Sequence, residues 1–135
     1  MRIALLCLVG IFSCGCSPQR HDATLAENVR CGDTFPAAQK ILAEHCGLSC
    51  TPADTGDTAT EPGTILYVAR RTGTADAVEI DVRNDRIRDM RYIPAYDSYC
   101  RRPKAQRPSP TRITAISTDS QAYLLENGQR IGWRK

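Results

Sequence analysis

The sequence predicts an α+β domain in which one main helix packs on an antiparallel β-sheet of four to six strands. Three observations carry the prediction. Between Cys31 and Gly47, "CGDTFPAAQKILAEHCG", apolar residues recur every three or four positions, the period of a helix with one buried face. From Thr64 onward the period falls to two, as in "AVEIDV", where Val78, Ile80 and Val82 alternate with Glu79 and Asp81. Asn127 and Gly128 lie between two apolar segments, a strong short-range signal for a hairpin.

In chain order, "SPQRHDATLAENVR" before Cys31 is polar and reads as a short tether, with room for a helical turn near Leu25. The helix follows. Asp33 or Thr34 can cap it, Pro36 suits its first turn, and Gly47 can supply a left-handed stop. Phe35, Ala38, Ile41, Leu42 and Cys46 form its buried stripe. "SCTPADTGDTATEPG" has Pro, Gly, Thr and acidic residues without apolar period, and reads as a loop. "TILYVAR" and "AVEIDV" are strands. "RNDR" turns the chain, since Asn84 and Asp85 tolerate positive φ, and "IRDMRYI" returns. Ile87 is out of phase with Met90 and Tyr92, so a bulge near Arg88 is expected. "TRITAIS" is a further strand, and "AYLLENGQRIGW" a hairpin, with a helix over "DSQAYLLEN" as the competing reading.

The N-terminus carries the clearest address. "IALLCLVGIF", after Arg2, is too short at ~1.5 Å per residue to cross a ~30 Å hydrocarbon core, and reads as a signal peptide. It runs into "SCGCSPQ", where Gly15 precedes Cys16 and Ser13 precedes Cys14. These residues resemble the lipobox of bacterial lipoproteins, in which small or aliphatic residues lead to a cysteine that takes a diacylglyceryl group. The resemblance is confined to the first sixteen or so residues and implies an address, not an activity. It implies lipidation at Cys16, with Cys14 as the alternative and ordinary signal cleavage as a third outcome. Neither Ser17 nor Gly15 is the aspartate that holds such proteins at an inner membrane. The expectation is a membrane protein of the cell envelope, anchored through its N-terminal lipid, at the outer membrane facing the periplasm. Residues 1–15 are then signal, 16–30 lipidated tether, and 31–135 a single domain, about the length at which a chain buries a core of its own.

Cysteine parity favours Cys16. Of the seven cysteines, Cys7 leaves with the signal, and an acylated Cys16 leaves Cys31, Cys46, Cys50 and Cys100, an even number suited to disulfides in an exported chain. A straight helix between Cys31 and Cys46 separates them by roughly 16 Å, too far for a bridge. Cys31–Cys100 with Cys46–Cys50 is therefore the expected pairing.

Charge is unevenly divided. The net +3 conceals an acidic front and a basic back, and the densest basic stretch is "CRRPKAQRPSPTR". Arg101, Arg102, Lys104, Arg107 and Arg112 form an arm punctuated by prolines, suited to an anionic lipid headgroup or an acidic envelope protein, or simply a solvated inter-strand loop. The compartment argues against nucleic acid. Tyr92, Tyr96 and Tyr99 lead into the arm, Tyr92 expected in the sheet and the others over its edge.

Catalysis finds little support. His21 lies in the tether and His45 beside Cys46, so any dyad must be built on one histidine and a thiol expected to be oxidised. Drawing His45, Cys46, Cys50 and Cys100 as a zinc site fails because adjacent helical residues diverge by about 100°, and no metal or other cofactor is expected. Glu79 and Asp81 share a strand face and suggest an ion pair with Arg88. The resulting expectation is a non-catalytic interaction or accessory lipoprotein. The alternative is a small envelope hydrolase that uses carboxylates, for which Glu79, Asp81, Asp89 and Asp97 must converge in one cleft.

Overall fold

In the computed structural model, which describes residues 28–53 and 62–133, one main helix packs on an antiparallel sheet of eight strands. The strands are β1 (Asn28–Arg30), β2 (Leu48–Pro52), β3 (Thr64–Arg71), β4 (Ala77–Arg83), β5 (Arg86–Ile93), β6 (Thr111–Ser117), β7 (Ala122–Leu125) and β8 (Arg130–Gly132). The main helix, α1, is Phe35–Cys46, and a short α2, Tyr96–Arg101, lies between β5 and β6. The segment expected to be a signal peptide, Cys14, Cys16 and His21 lie outside the described residues.

The sheet is larger than expected by two strands at its N-terminal side. β1 occupies the end of the expected tether and β2 the start of the expected loop, "LSCTP". Both are too short and too polar to show an alternation. They are strands because neighbouring backbone groups need partners, which is a tertiary cause. β2 is laid directly beside β3 by the left-handed Gly47, φ 66°, whose N–H donates to the Leu42 carbonyl and ends α1.

β2 through β8 form a meander in sequence order. The β4–β5 turn has Asn84 at φ 53° and Asp85 at φ 60°, the two left-handed residues a tight hairpin needs. One step later the register slips, Asp81 facing Asp89 but Val82 facing Ile87, so Arg88 is the extra residue of a bulge where phase required one. The last hairpin also forms as expected, turning at Asn127 and Gly128, where Gly128 adopts φ 87° and the Asn127 side chain accepts from the Gln129 N–H at 2.9 Å. The competing helix over this segment is thereby overturned, since β7 and β8 pair through Tyr123 and Ile131.

β6 is where the meander divides. β5 pairs with its first residues, Arg91 with Arg112 and Tyr92 with Thr111, and then departs. β1 takes the vacated edge, pairing Val29 with Ile116. The chain then crosses the fork to β5: the Gly32 N–H donates to the Ile87 carbonyl at 2.8 Å, the Ile87 N–H to the Asp33 carbonyl at 3.0 Å, and the Phe35 N–H to the Asp85 carbonyl at 2.6 Å. Asp33, almost fully buried, fixes the crossing by accepting the Arg30 N–H at 2.8 Å.

One face of the sheet and α1 enclose the core. Phe35, Ala38, Leu42 and Cys46 of α1 pack on Ala69, Val78, Ile80, Met90, Ile113 and Ile116, with Val29 from the fork strand. Leu42, Ile80 and Met90 are each fully buried, and each such aliphatic side chain contributes about 1.5–3 kcal/mol.

Replacing Asp33 by Ala removes the acceptor for the Arg30 N–H. The expected cost is about 1–2 kcal/mol, read as a lower urea midpoint at unchanged slope. An unshifted midpoint would show that the crossing does not depend on this carboxylate.

Candidate functional site

The strand ends gather two groups of functional side chains, one on each face of the sheet. On the helix side, β3, β5 and β8 end together and β7 begins beside them. The sheet curls far enough that the guanidinium of Arg71, at the end of β3, lies 5.6 Å from the ring of Trp133, just past β8. Trp133 stacks on Tyr123 with ring centres 4.9 Å apart, and Tyr123 packs on Tyr92 at 5.0 Å. The Tyr92 hydroxyl donates to the Asp76 carboxylate at 2.6 Å. These residues, with Thr74 and Ile131, line a cavity of about 420 Å³, within the range of small-molecule sites. Burial pushes the Tyr123 hydroxyl well above its ordinary range, with the Asp76 charge adding to the effect, so it stays protonated.

None of this cavity was assigned from the sequence. One signal was legible: in "TILYVARR", alternation puts Arg71 on the face of Tyr67 and Ala69, a cation on the buried side of a strand. The return of Trp133 to β3 depends on the curl of the whole sheet.

On the opposite face, paired residues form a charged lattice. Glu79 faces Arg91, and Asp81 faces Asp89, two like charges side by side. Arg91 reconciles them: Nη1 lies 2.9 Å from Asp81 and 2.8 Å from Asp89, and Nε 3.4 Å from Glu79. Arg112 adds a contact to Asp89 at 3.3 Å. Desolvation opposes the Arg91 charge, and the Asp81 hydrogen bond with the surrounding carboxylates outweighs it, so its pKa is raised. The ion pair expected with Arg88 is thus made by Arg91. The bulge changes the parity of β5, turning Arg88 to solvent and Arg91 to the acidic face.

α2 lies along this face. Its Asp97 receives both terminal nitrogens of Arg70 at 3.1 and 3.3 Å, and Arg70 also covers the Tyr96 ring at 5.4 Å. Hydrogen bonding to Arg70, with the Arg70 charge, holds the exposed Asp97 carboxyl below its ordinary value. Three of the four carboxylates tested for a hydrolase therefore converge, but around a guanidinium, and the fourth pairs elsewhere. Tyr92 sits in the sheet as expected, while Tyr96 and Tyr99 stack at 6.2 Å on α2.

The basic arm is partly folded onto itself. Arg107 donates to the carbonyls of Arg102 at 3.0 Å and Cys100 at 3.1 Å and covers the Tyr99 ring. Arg112 belongs to the charged lattice, and Arg101, Arg102 and Lys104 are exposed. Beside the arm, Tyr99, Arg102, Pro108 and Pro110 line a shallower hollow of about 230 Å³.

Neither expected disulfide is seen among the described residues, where Cys31, Cys46, Cys50 and Cys100 stand unbridged. Cys46 ends the buried stripe of α1, while Cys50 lies on β2 opposite Ala69. Cys31 and Cys100 are both exposed, Cys31 on the turn between β1 and α1 and Cys100 on α2, and burial followed by the Asp89 charge raises the Cys31 thiol. His45 is exposed at the C-terminal turn of α1, while the neighbouring Cys46 is buried. Among the described residues, no group of three His, Cys, Asp or Glu is placed to hold a metal ion, and no helix is long and apolar enough to cross a membrane. No family model, curated protein or solved structure matches the chain.

Burial pushes the Cys46 and Cys50 thiols up to about 11, so their thiolate fraction at pH 8 is about a thousandth. Ellman's reagent without reductant is expected to label Cys31 and Cys100 in the folded protein, and Cys46 and Cys50 only after unfolding. Four thiols that stay silent until reduction would restore the disulfide pairing.

Proposed function

We propose that the chain is a lipid-anchored accessory protein of a bacterial cell envelope that acts by binding rather than by catalysis. The anchor is Cys16, at the end of the lipobox-like "SCGC", with the outer membrane facing the periplasm as its site. The observation that carries the binding half is the fate of the carboxylates. Glu79, Asp81 and Asp89, from which a hydrolase site would have to be built, are spent on Arg91. A proton donor or nucleophile needs a carboxyl free to change partners, and a shared guanidinium opposes that.

The contact surface for a macromolecular partner is the exposed part of the arm, Arg101, Arg102 and Lys104. These side chains extend from α2 and the 3₁₀ turn Lys104–Gln106, which fix their spacing. A tethered basic surface suits an acidic envelope protein or an anionic headgroup, each cation contributing about 1 kcal/mol near such a membrane surface.

In membrane fractionation of cells producing the full chain, Cys16→Ser is expected to move the protein from the membrane to the soluble fraction. Retention of an acylated, membrane-bound Cys16→Ser chain would overturn the anchor. Replacing Arg101, Arg102 and Lys104 by Gln in the anchored protein is expected to abolish salt-sensitive crosslinking to its partner. Crosslinking that persists unchanged would remove the arm from the contact surface.

A further inference from the structure

The hollow beside the basic arm has the size and lining of a receptor for one side chain. Pro94, Tyr99, Pro108 and Pro110 line it, together with Ile93, the buried last residue of β5. Its volume of about 230 Å³ falls short of the roughly 300 Å³ at which small-molecule sites begin. It suits instead the anchor side chain of a macromolecule, the kind of group that carries most of an interface's energy.

The walls stand before any partner arrives. Pro108 and Pro110 fix φ in one of them. The other is α2, held by the contact of Arg70 with Asp97 and by the Tyr96 N–H, which donates to the Ala75 carbonyl at 2.8 Å. Arg107 ties the arm to α2 through the carbonyls of Cys100 and Arg102 and the Tyr99 ring. Filling a preformed hollow costs little ordering.

The rim sets the polarity of the partner. Ser98, Ser109 and Thr111 are exposed hydroxyl residues of the lining, able to donate to or accept from an extended backbone. Arg102 also lines the hollow, and Arg101 and Lys104 are exposed beside it in the chain. None of the lining residues is acidic, and Asp97, the acid of α2, is engaged by Arg70. The surroundings therefore complement negative charge next to the anchor. An apolar centre inside a polar rim is the anatomy of a protein contact, whereas a headgroup would use the cations alone. Resting on the reading of the arm as the contact surface, we propose that its occupant is an acidic linear segment of an envelope protein. The segment inserts one large apolar side chain between Tyr99 and the prolines, while flanking carboxylates meet Arg101 and Arg102.

The purified full chain is titrated, by fluorescence anisotropy, into a fluorescein-labelled peptide with one phenylalanine between two pairs of aspartates. Saturable binding is expected, weakened at least tenfold when the phenylalanine is replaced by alanine. Ser98→Phe, which fills the hollow from α2, should weaken the phenylalanine peptide at least tenfold and leave the alanine peptide unchanged. Should Ser98→Phe lose its far-UV circular dichroism, Ser109→Phe fills the hollow from the other wall and should act alike. Replacing Arg101, Arg102 and Lys104 by Gln should abolish binding of both peptides. Equal binding of the two peptides, lost in the Gln variant, would overturn the hollow as the anchor site while leaving the arm as the contact surface. No binding of either peptide would overturn the acidic segment and the arm together. Vesicles of phosphatidylglycerol that displace the phenylalanine peptide, and whose own binding Ser98→Phe weakens, would overturn the proposal in favour of a lipid.

Discussion

The fold depends on how one N-terminal segment closes the fork between β5 and β6. Where β5 leaves β6 after two paired residues, both strands would present unpaired backbone groups to the core, an arrangement no sheet sustains without another strand or water. Residues 28–35 satisfy both sides in turn, first β6 through β1, then β5 through Gly32, Asp33 and Phe35. The Arg86 guanidinium adds a bond to the Gly32 carbonyl at 2.8 Å. The same crossing delivers the chain to the start of α1, so the position of the helix over the sheet follows from it. Gly47 then returns the chain to the sheet edge as β2.

The second constraint is parity. The bulge at Arg88 allows Ile87 to share the core face with Met90 and Tyr92, and by the same shift sets Asp89 and Arg91 together on the other side. The sheet thereby separates two kinds of chemistry. One face buries apolar side chains under α1 and ends in an aromatic cavity with a single guanidinium. The other carries charges that neutralise one another around Arg91 and are partly roofed by α2.

Local rules made much of this legible. Gly47, the Asn84–Asp85 turn, the Arg88 bulge and the Asn127–Gly128 hairpin are each set by a few neighbouring residues with special backbone needs, and each can be read from them. The helical stripe is equally local. β1 and β2 could not be read that way, because "NVR" and "LSCTP" become strands only through their partners. The identity of the cation beside Glu79 was missed by three residues, since an expected bulge was not carried through to the charges beyond it. The aromatic cavity was hidden for the same reason as β1: Arg71 and Trp133 are 62 residues apart and meet through the curl of six strands. Single-residue signals such as the lone Trp133 carry no information about what faces them.

The strand ends hold the cavity wall, and the basic arm is carried by α2 and the 3₁₀ turn between β5 and β6. Both are positioned by strands whose pairing the fork segment completes. The most direct test of that dependence is native-state hydrogen exchange at the amides of Gly32, Phe35 and Ile87, each a donor in the crossing. If residues 28–35 complete the sheet, these amides exchange as slowly as those of β4 and open only with global unfolding. Exchange at the rate of a frayed terminus, with β4 still protected, would contradict it and leave the fork open to solvent.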